Sequence, residues 1–358
     1  LAGGVSVLLG PGVNIKRSPL CGRNFEYYSE DPLLSGELAV GFINGVQNKG
    51  VGVSLKHFAV NNQETARMTT DVLLNERALR EIYLANFEIA VKGAKPWTLM
   101  CSYNKLRGEY CSENKLLLTD ILRSEWGFEG LVMSDWGAVN ERDDGLAAGL
   151  DLEMPAGGQD SIDKIIIAVK SGKLSEQTLD TAVERILTLV KRGIENKKEN
   201  ADYDKQKHHE LARKLAGECM VLLKNENVLP LKKTGSLAVI GAFAASPRIQ
   251  GGGSSHMNPT TISIPLDEIK KSAGKSVSIA YSSGYRLEES GDAFGSGFAS
   301  ICDIPDDELI AEAVKTASNC DITVLFLGLP DSFESEGYDR THIRLPFGQL
   351  KLLDELKK

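Results

Sequence analysis

Gly130-Leu-Val-Met-Ser-Asp-Trp-Gly-Ala138 decides how the first half of the chain is read. Leu131–Met133 is a short apolar run between a glycine and a serine, and it reads as a buried strand. A carboxylate, Asp135, and an indole, Trp136, follow it at once. Working outward, Val5–Leu9, Val51–Leu55 and Thr98–Ser102 are similar runs bounded by Gly, Pro or polar residues. Between them Leu79, Ile82, Tyr83, Phe87, Ala90 and Val91 recur at helical spacing, predicting one helix of about 17 residues. Val183, Ile186, Leu187 and Val190 predict a second apolar helical stripe. Near-continuous apolar strands alternating with amphipathic helices imply an α/β fold with a parallel sheet. Over residues 1–195 the pattern fits a (β/α)8-type barrel, in which chemistry sits at the C-terminal strand ends.

The string ENKKENADYDK that follows is polar and nearly free of aliphatic residues. It places a linker at 196–206 and a second α/β unit at 207–358. The expected elements there are a helix over His208–Leu223, a strand over Leu237–Gly241 and a Gly/Ser-rich loop at Gly251–Ser255. Then come a helix over Asp306–Ala317, a strand over Ile322–Leu329, a loop over Asp331–Arg344 and a last helix. This unit reads as an α/β sandwich with an open sheet.

Composition narrows the function. The 358 residues carry 41 Lys plus Arg against 49 Asp plus Glu, a net charge of −8. That excess repels phosphate backbones and anionic bilayers, so neither nucleic acid nor membrane is the expected partner. No apolar run approaches the roughly 18 residues of a membrane helix. The six cysteines form no CxxC pair and are read as free thiols of a reducing, cytoplasmic compartment. The first residues show no secretory pattern and the last helix pattern stops while still amphipathic, so the chain is expected to be a fragment.

Several polar residues fall just past expected strands. Asp135 is placed to attack an electrophilic carbon, or else to N-cap a helix after Gly137. Trp136 offers an apolar platform. Lys56 and His57 can donate to hydroxyls, or Lys56 can pair with Glu64. A strand-end lysine also suits a Schiff-base aldolase. Arg23 and Arg67 can fork onto vicinal oxygens, although each alone reads more readily as a surface charge. Tyr103 is a hydroxyl donor or core filler. Glu334 and Glu336 sit beside Gly337 in what reads as an exposed acidic turn. No phosphate loop, metal-ligand spacing or GxSxG string is present; His208 and His209 have no third ligand nearby.

Together, GPGVNIKRSPLCGRNFEYYSEDP, SLKHFAVNNQE, CSYNKLRGEYCSEN, GLVMSDWGA, GLDLEMP, LLKNENVLPL, QGGGSSHMNP and ESEGYDR resemble glycoside hydrolase family 3, specifically its β-glucosidase-like branch. The N-acetylhexosaminidase branch carries Lys-His-Phe-Pro-Gly-His-Gly where this chain has Lys56-His-Phe-Ala-Val-Asn-Asn62, without the second histidine. The resemblance implies a retaining, exo-acting β-glycosidase that releases terminal non-reducing β-D-glucosyl residues by double displacement. Asp135 would be the nucleophile and Glu336 the acid/base, with Glu334 in reserve. Arg23, Lys56, His57, Arg67 and Tyr103 would hold the sugar beside Trp136, and Ser254 and His256 would line the entrance. Nearby cations would hold the Asp135 carboxyl low, and the closing loop would raise that of Glu336. The implied partners are β-glucosides or short β-linked oligosaccharides, with homo-oligomers allowed and no cofactor or metal. A β-xylosidase, a carbohydrate-binding protein without turnover and the aldolase are the competing readings. Family members also carry opening barrel strands, a sugar-gripping aspartate, a completed second sheet and in some cases a fibronectin-like domain. None has a counterpart here, so this polypeptide alone is expected to be inactive or unstable.

Overall fold

Strand Gly52–Phe58 is buried at every position and centres the first half of the fold. It runs parallel to Val7–Leu8 on one side and to Thr98–Cys101 on the other, and Thr98–Cys101 runs parallel to Leu131–Met133. The four strands lie side by side in chain order. The computed structural model describes residues 1–287 and 303–358. Contacts divide it into two units, Leu1–Tyr203 and Asp204–Lys358.

The strand expected over Val51–Leu55 continues through Lys56 and His57 to Phe58, because those two polar side chains are buried and partnered. Its pairing with Thr98–Cys101 shifts between Leu55 and Phe58, the kind of irregularity that re-aims side chains at a strand end. The first strand is shorter than expected, only Val7–Leu8, and Val5, Leu8 and Leu9 are exposed. The single helix expected around Leu79–Val91 is broken. A short α-turn at Glu76–Ala78 widens into π-helix over Leu79–Tyr83, and a new α-helix, Ala85–Ala94, follows Leu84. The wider turn buries Leu79 and Leu84 while leaving Ile82 outside.

Helix Pro32–Gln47 starts where Asp31 accepts from the backbone N–H of Leu33 and Leu34, with a proline in the first turn. It packs on Ala85–Ala94 through small residues. A Cβ at Gly36 would come within 2.8 Å of Ile89, and one at Gly93 within 2.8 Å of Val40. Helix Glu176–Glu195 forms as expected, but its stripe is divided. Ile186 packs near Met100, Leu131 and Met133, whereas Val183, Leu187 and Val190 are exposed. Buried Asp151 ties Arg123 (2.7 Å) to Arg185 (2.9 Å) and accepts from the N–H of Val132.

The second unit has its own parallel sheet, ordered Ile322–Leu325, Gly235–Ile240, Val277–Ser282. Helix Asp307–Ser318 is N-capped by Asp306 and packs over it. The helix expected over His208–Leu223 is Lys205–Glu218, and Met220–Leu223 lie exposed beyond its end. The strand expected over Ile322–Leu329 stops at Leu325. The last helix is Phe347–Leu356. Among the described residues no helix is long and apolar enough to cross a membrane. Cys101, Cys111, Cys219 and Cys320 are free thiols, and Cys302 lies outside the described residues.

Candidate active site

The downstream ends of the parallel strands in the first unit converge on Asp135. Met133 ends its strand, and the turn after it is tied to Leu152–Met154. Ser134 N–H donates to Leu152 O (2.9 Å), Gly137 N–H to Met154 O (2.9 Å), and Ser134 Oγ accepts from Met154 N–H (2.7 Å). Asp135 caps no helix: the next one, Arg142–Ala148, begins after Glu141. Its Oδ1 instead accepts from Tyr103 Oη–H (3.0 Å) and from the N–H of Trp136 (2.8 Å). Its Oδ2 is buried without a hydrogen-bond partner among the described residues. His57 Nε2 stands 3.6 Å away, beyond hydrogen-bond range.

Lys56 pairs with Glu26 (2.9 Å), not with Glu64, which belongs to Arg67 (2.7 Å). Glu26 also accepts from Arg23, whose Nη2 lies 2.6 Å from Oε2. Arg23 is fully buried, so the surface reading of this residue is overturned. Arg67 lies over the Tyr103 ring at 4.6 Å, joining two strand-end loops by a cation–π contact. Asn14 holds His57 by accepting from its backbone N–H (2.9 Å) and donating to its carbonyl (2.8 Å). The Lys56–His57 peptide bond is cis. Trp136 is 42% exposed. Arg23, Lys56, His57, Arg67 and Tyr103 thus gather with Asp135 in one cluster.

Burial sets the charges here. It pushes the Asp135 carboxyl above its ordinary value; the Trp136 N–H, Arg23, Tyr103 and Lys56 pull the other way without cancelling it. The expectation that nearby cations hold this group low is therefore reversed. Burial, then Arg23, Lys56 and Arg67, hold His57 well below its usual range, so the ring is neutral near pH 7. Burial pushes Glu26 up too, but Arg23 and Lys56 outweigh it and keep the group below its ordinary value. Glu26 and Asn14 carry no signal of their own in the sequence, and Glu64, read there as a partner for Lys56, belongs to Arg67 instead. Glu26 and Glu64 each lie three positions from their arginine, a spacing that one helical turn brings together.

In the second unit the acidic string is not an exposed turn. Glu336 is 5% exposed. Its Oε2 accepts from Ser254 N–H (2.6 Å), and its own N–H donates to Gly252 O (3.2 Å). Glu334 pairs with Arg248 (3.2 Å), which also donates to the Glu334 carbonyl (2.8 Å). The side chains of Ser254 and His256 are exposed. Among the described residues no group of three or more His, Cys, Asp and Glu is placed to hold a metal ion.

Known proteins give the cluster a family. The chain is 60% identical to thermostable beta-glucosidase B of Acetivibrio thermocellus over 98% of its length, which is 45% of that protein. It is 46% identical to exo-alpha-(1->6)-L-arabinopyranosidase of Bifidobacterium breve over 98% of the chain and 46% of that relative. Among solved structures, the GH3 beta-glucosidase of Bifidobacterium adolescentis matches with a TM-score of 0.88 at 47% identity, covering 98% of this chain and 50% of that one. The chain spans about half the length of the relatives it matches. Residues 1–189 match the glycosyl hydrolase family 3 N-terminal domain and residues 220–358 match its C-terminal domain. The chain therefore belongs to glycosyl hydrolase family 3.

Proposed function

We propose that the protein carrying this chain is a retaining β-glucosidase that acts on β-glucosides or short β-linked oligosaccharides from their non-reducing ends. The observation that carries this is Asp135: a buried carboxylate with one oxygen fixed by Tyr103 and Trp136 and the other left open among the described residues. That is how a nucleophile is presented to an anomeric carbon. Oδ2 attacks C1, giving a glycosyl ester, and water then releases the sugar. Arg23, Lys56, His57 and Arg67 supply N–H donors suited to ring hydroxyls, and Trp136 an apolar face. Glu336 is the proton donor and later the base. Glu334 suits this less, because Arg248 holds it as a carboxylate partner. Ser254 and His256 border the path of the substrate.

The same reading takes residues 1–195 as part of a (β/α)8-type barrel, 196–206 as a linker and 207–358 as part of an α/β sandwich domain. Four parallel strands in chain order, with the polar cluster at their downstream ends, support it. Lys56 is engaged by Glu26, which disfavours an aldolase.

The test is a mechanism-based label. A 2-deoxy-2-fluoro-β-D-glucoside should esterify Asp135, located by peptide mass, and Asp135→Gly should lower aryl β-glucoside hydrolysis on the order of 10³-fold or more. Hydrolysis at the native rate in that variant would overturn the assignment. Comparing aryl β-D-glucopyranoside with aryl β-D-xylopyranoside and α-L-arabinopyranoside decides the sugar. The last is included because an arabinopyranosidase is among the relatives.

A further inference from the structure

In the reaction above the Gly251–Ser255 loop only borders the path of the substrate, yet it is built closely around one carboxyl group. Gly253 has φ +100°, a conformation side chains rarely adopt. A Cβ there would lie 2.4 Å from Glu336 Cβ and 2.7 Å from Oε2. At Gly252 a Cβ would lie 2.5 Å from Ser335 Oγ. The two strings form a short parallel bridge between Gly252 and Ser335. The Ser254 N–H then points at Oε2 from 2.6 Å. Such close backbone approach is open only to glycine, and it leaves Glu336 buried against a fixed donor.

We propose that Gly253 and the Ser254 backbone N–H are positioning elements for Glu336, seating its carboxyl and favouring its ionised form through the hydrogen bond to Oε2. This rests on Glu336 being the acid/base. In the first step the O–H bond of the Glu336 carboxyl breaks and the proton passes to the glycosidic oxygen. The C1–O bond breaks with its electron pair leaving on that oxygen, while Asp135 Oδ2 bonds to C1. The carboxylate left on Glu336 is stabilised by the Ser254 N–H as the charge appears. In the second step the carboxylate takes a proton from water as that water's oxygen bonds to C1 and Asp135 departs.

Replacing the Ser254 amide by an ester, through incorporation of the matching α-hydroxy acid, deletes the N–H and keeps the side chain. Without that donor the carboxylate is less favoured, so Glu336 is a weaker acid. The alkaline limb of kcat/KM should move up by about one pH unit. Hydrolysis of alkyl β-glucosides should fall roughly tenfold, while 2,4-dinitrophenyl β-glucoside, whose leaving group needs no proton, should change less than about twofold. Gly253→Ala should show the same leaving-group dependence with larger losses; if it fails to fold, the ester variant decides. A merely structural role would lower all substrates alike, and that result, or an unmoved alkaline limb, overturns the proposal. Glu336→Gln separates the two levels. If it spares the dinitrophenyl substrate and is rescued by azide while the ester variant behaves as native, only the seat is wrong. If it shows neither property, the acid/base assignment falls and the seat falls with it.

Discussion

At the scale of single residues, the proposed role sets Asp135 two opposed demands. To attack carbon it must be ionised, and to meet a sugar away from water it must be buried. Burial wins in the balance of its carboxyl, even with Arg23 and Lys56 close by. Its folded pKa lies above its unfolded value, so its contribution to stability is fully present below the unfolded value. That contribution is lost as pH rises through the folded value. Asp135→Asn, which cannot ionise, should therefore melt at a higher temperature than the native protein at pH 7, with the difference vanishing near pH 3. Paired thermal melts at the two pH values check this. An inactive variant that is more stable than the parent is the usual mark of a site that spends stability on function. Asp135, Lys56, His57 and Tyr103 are legible in the sequence because each lies at or just past an apolar run, whereas Arg23 and Arg67 follow none and enter the site only through the family resemblance. The partners are not legible: Lys56 meets Glu26 only once a strand and a distant loop are brought together. The depth at which Asp135 sits is likewise a property of the folded packing.

The elements show where patterning is a sufficient guide and where it is not. Leu131–Met133 is the strand its apolar run implies. Gly52–Phe58 outruns its apolar pattern because its last polar residues are satisfied by partners elsewhere in the chain. The break around Leu84 is invisible to a helical-period count, since a π-turn keeps the apolar residues on roughly one side while adding one residue per turn. Helix Pro32–Gln47 depends on a contact that no periodicity reveals, the approach of Gly36 to Ile89. Gly36→Ala should destabilise the fold by about 1–3 kcal/mol through overpacking, despite the better helix propensity of alanine. Urea unfolding followed by far-UV circular dichroism measures it, and a stabilised variant would contradict the contact.

For the molecule as a whole, charge is in excess over the chain and balanced in the cluster. The chain carries a net −8, while Arg23, Lys56 and Arg67 are matched by Glu26, Glu64 and Asp135. A neutral sugar is not steered by either field. On the proposed reading, kcat/KM for an uncharged aryl β-glucoside should change less than about twofold between roughly 0.05 and 0.5 M salt, because the relevant charges are buried and little screened. Initial rates at limiting substrate test this. The turn that carries Asp135 has one more consequence. It is braced by Leu152–Met154, a neighbour along the same stretch of chain. On the proposed reading the donors offered to the sugar come instead from the segments around residues 23 and 67 and from the end of strand Gly52–Phe58. On that reading reactivity and taste would be lodged in largely separate cassettes: a lineage could trade one pyranose for another by editing those outer segments and leave the reacting atom's scaffold untouched.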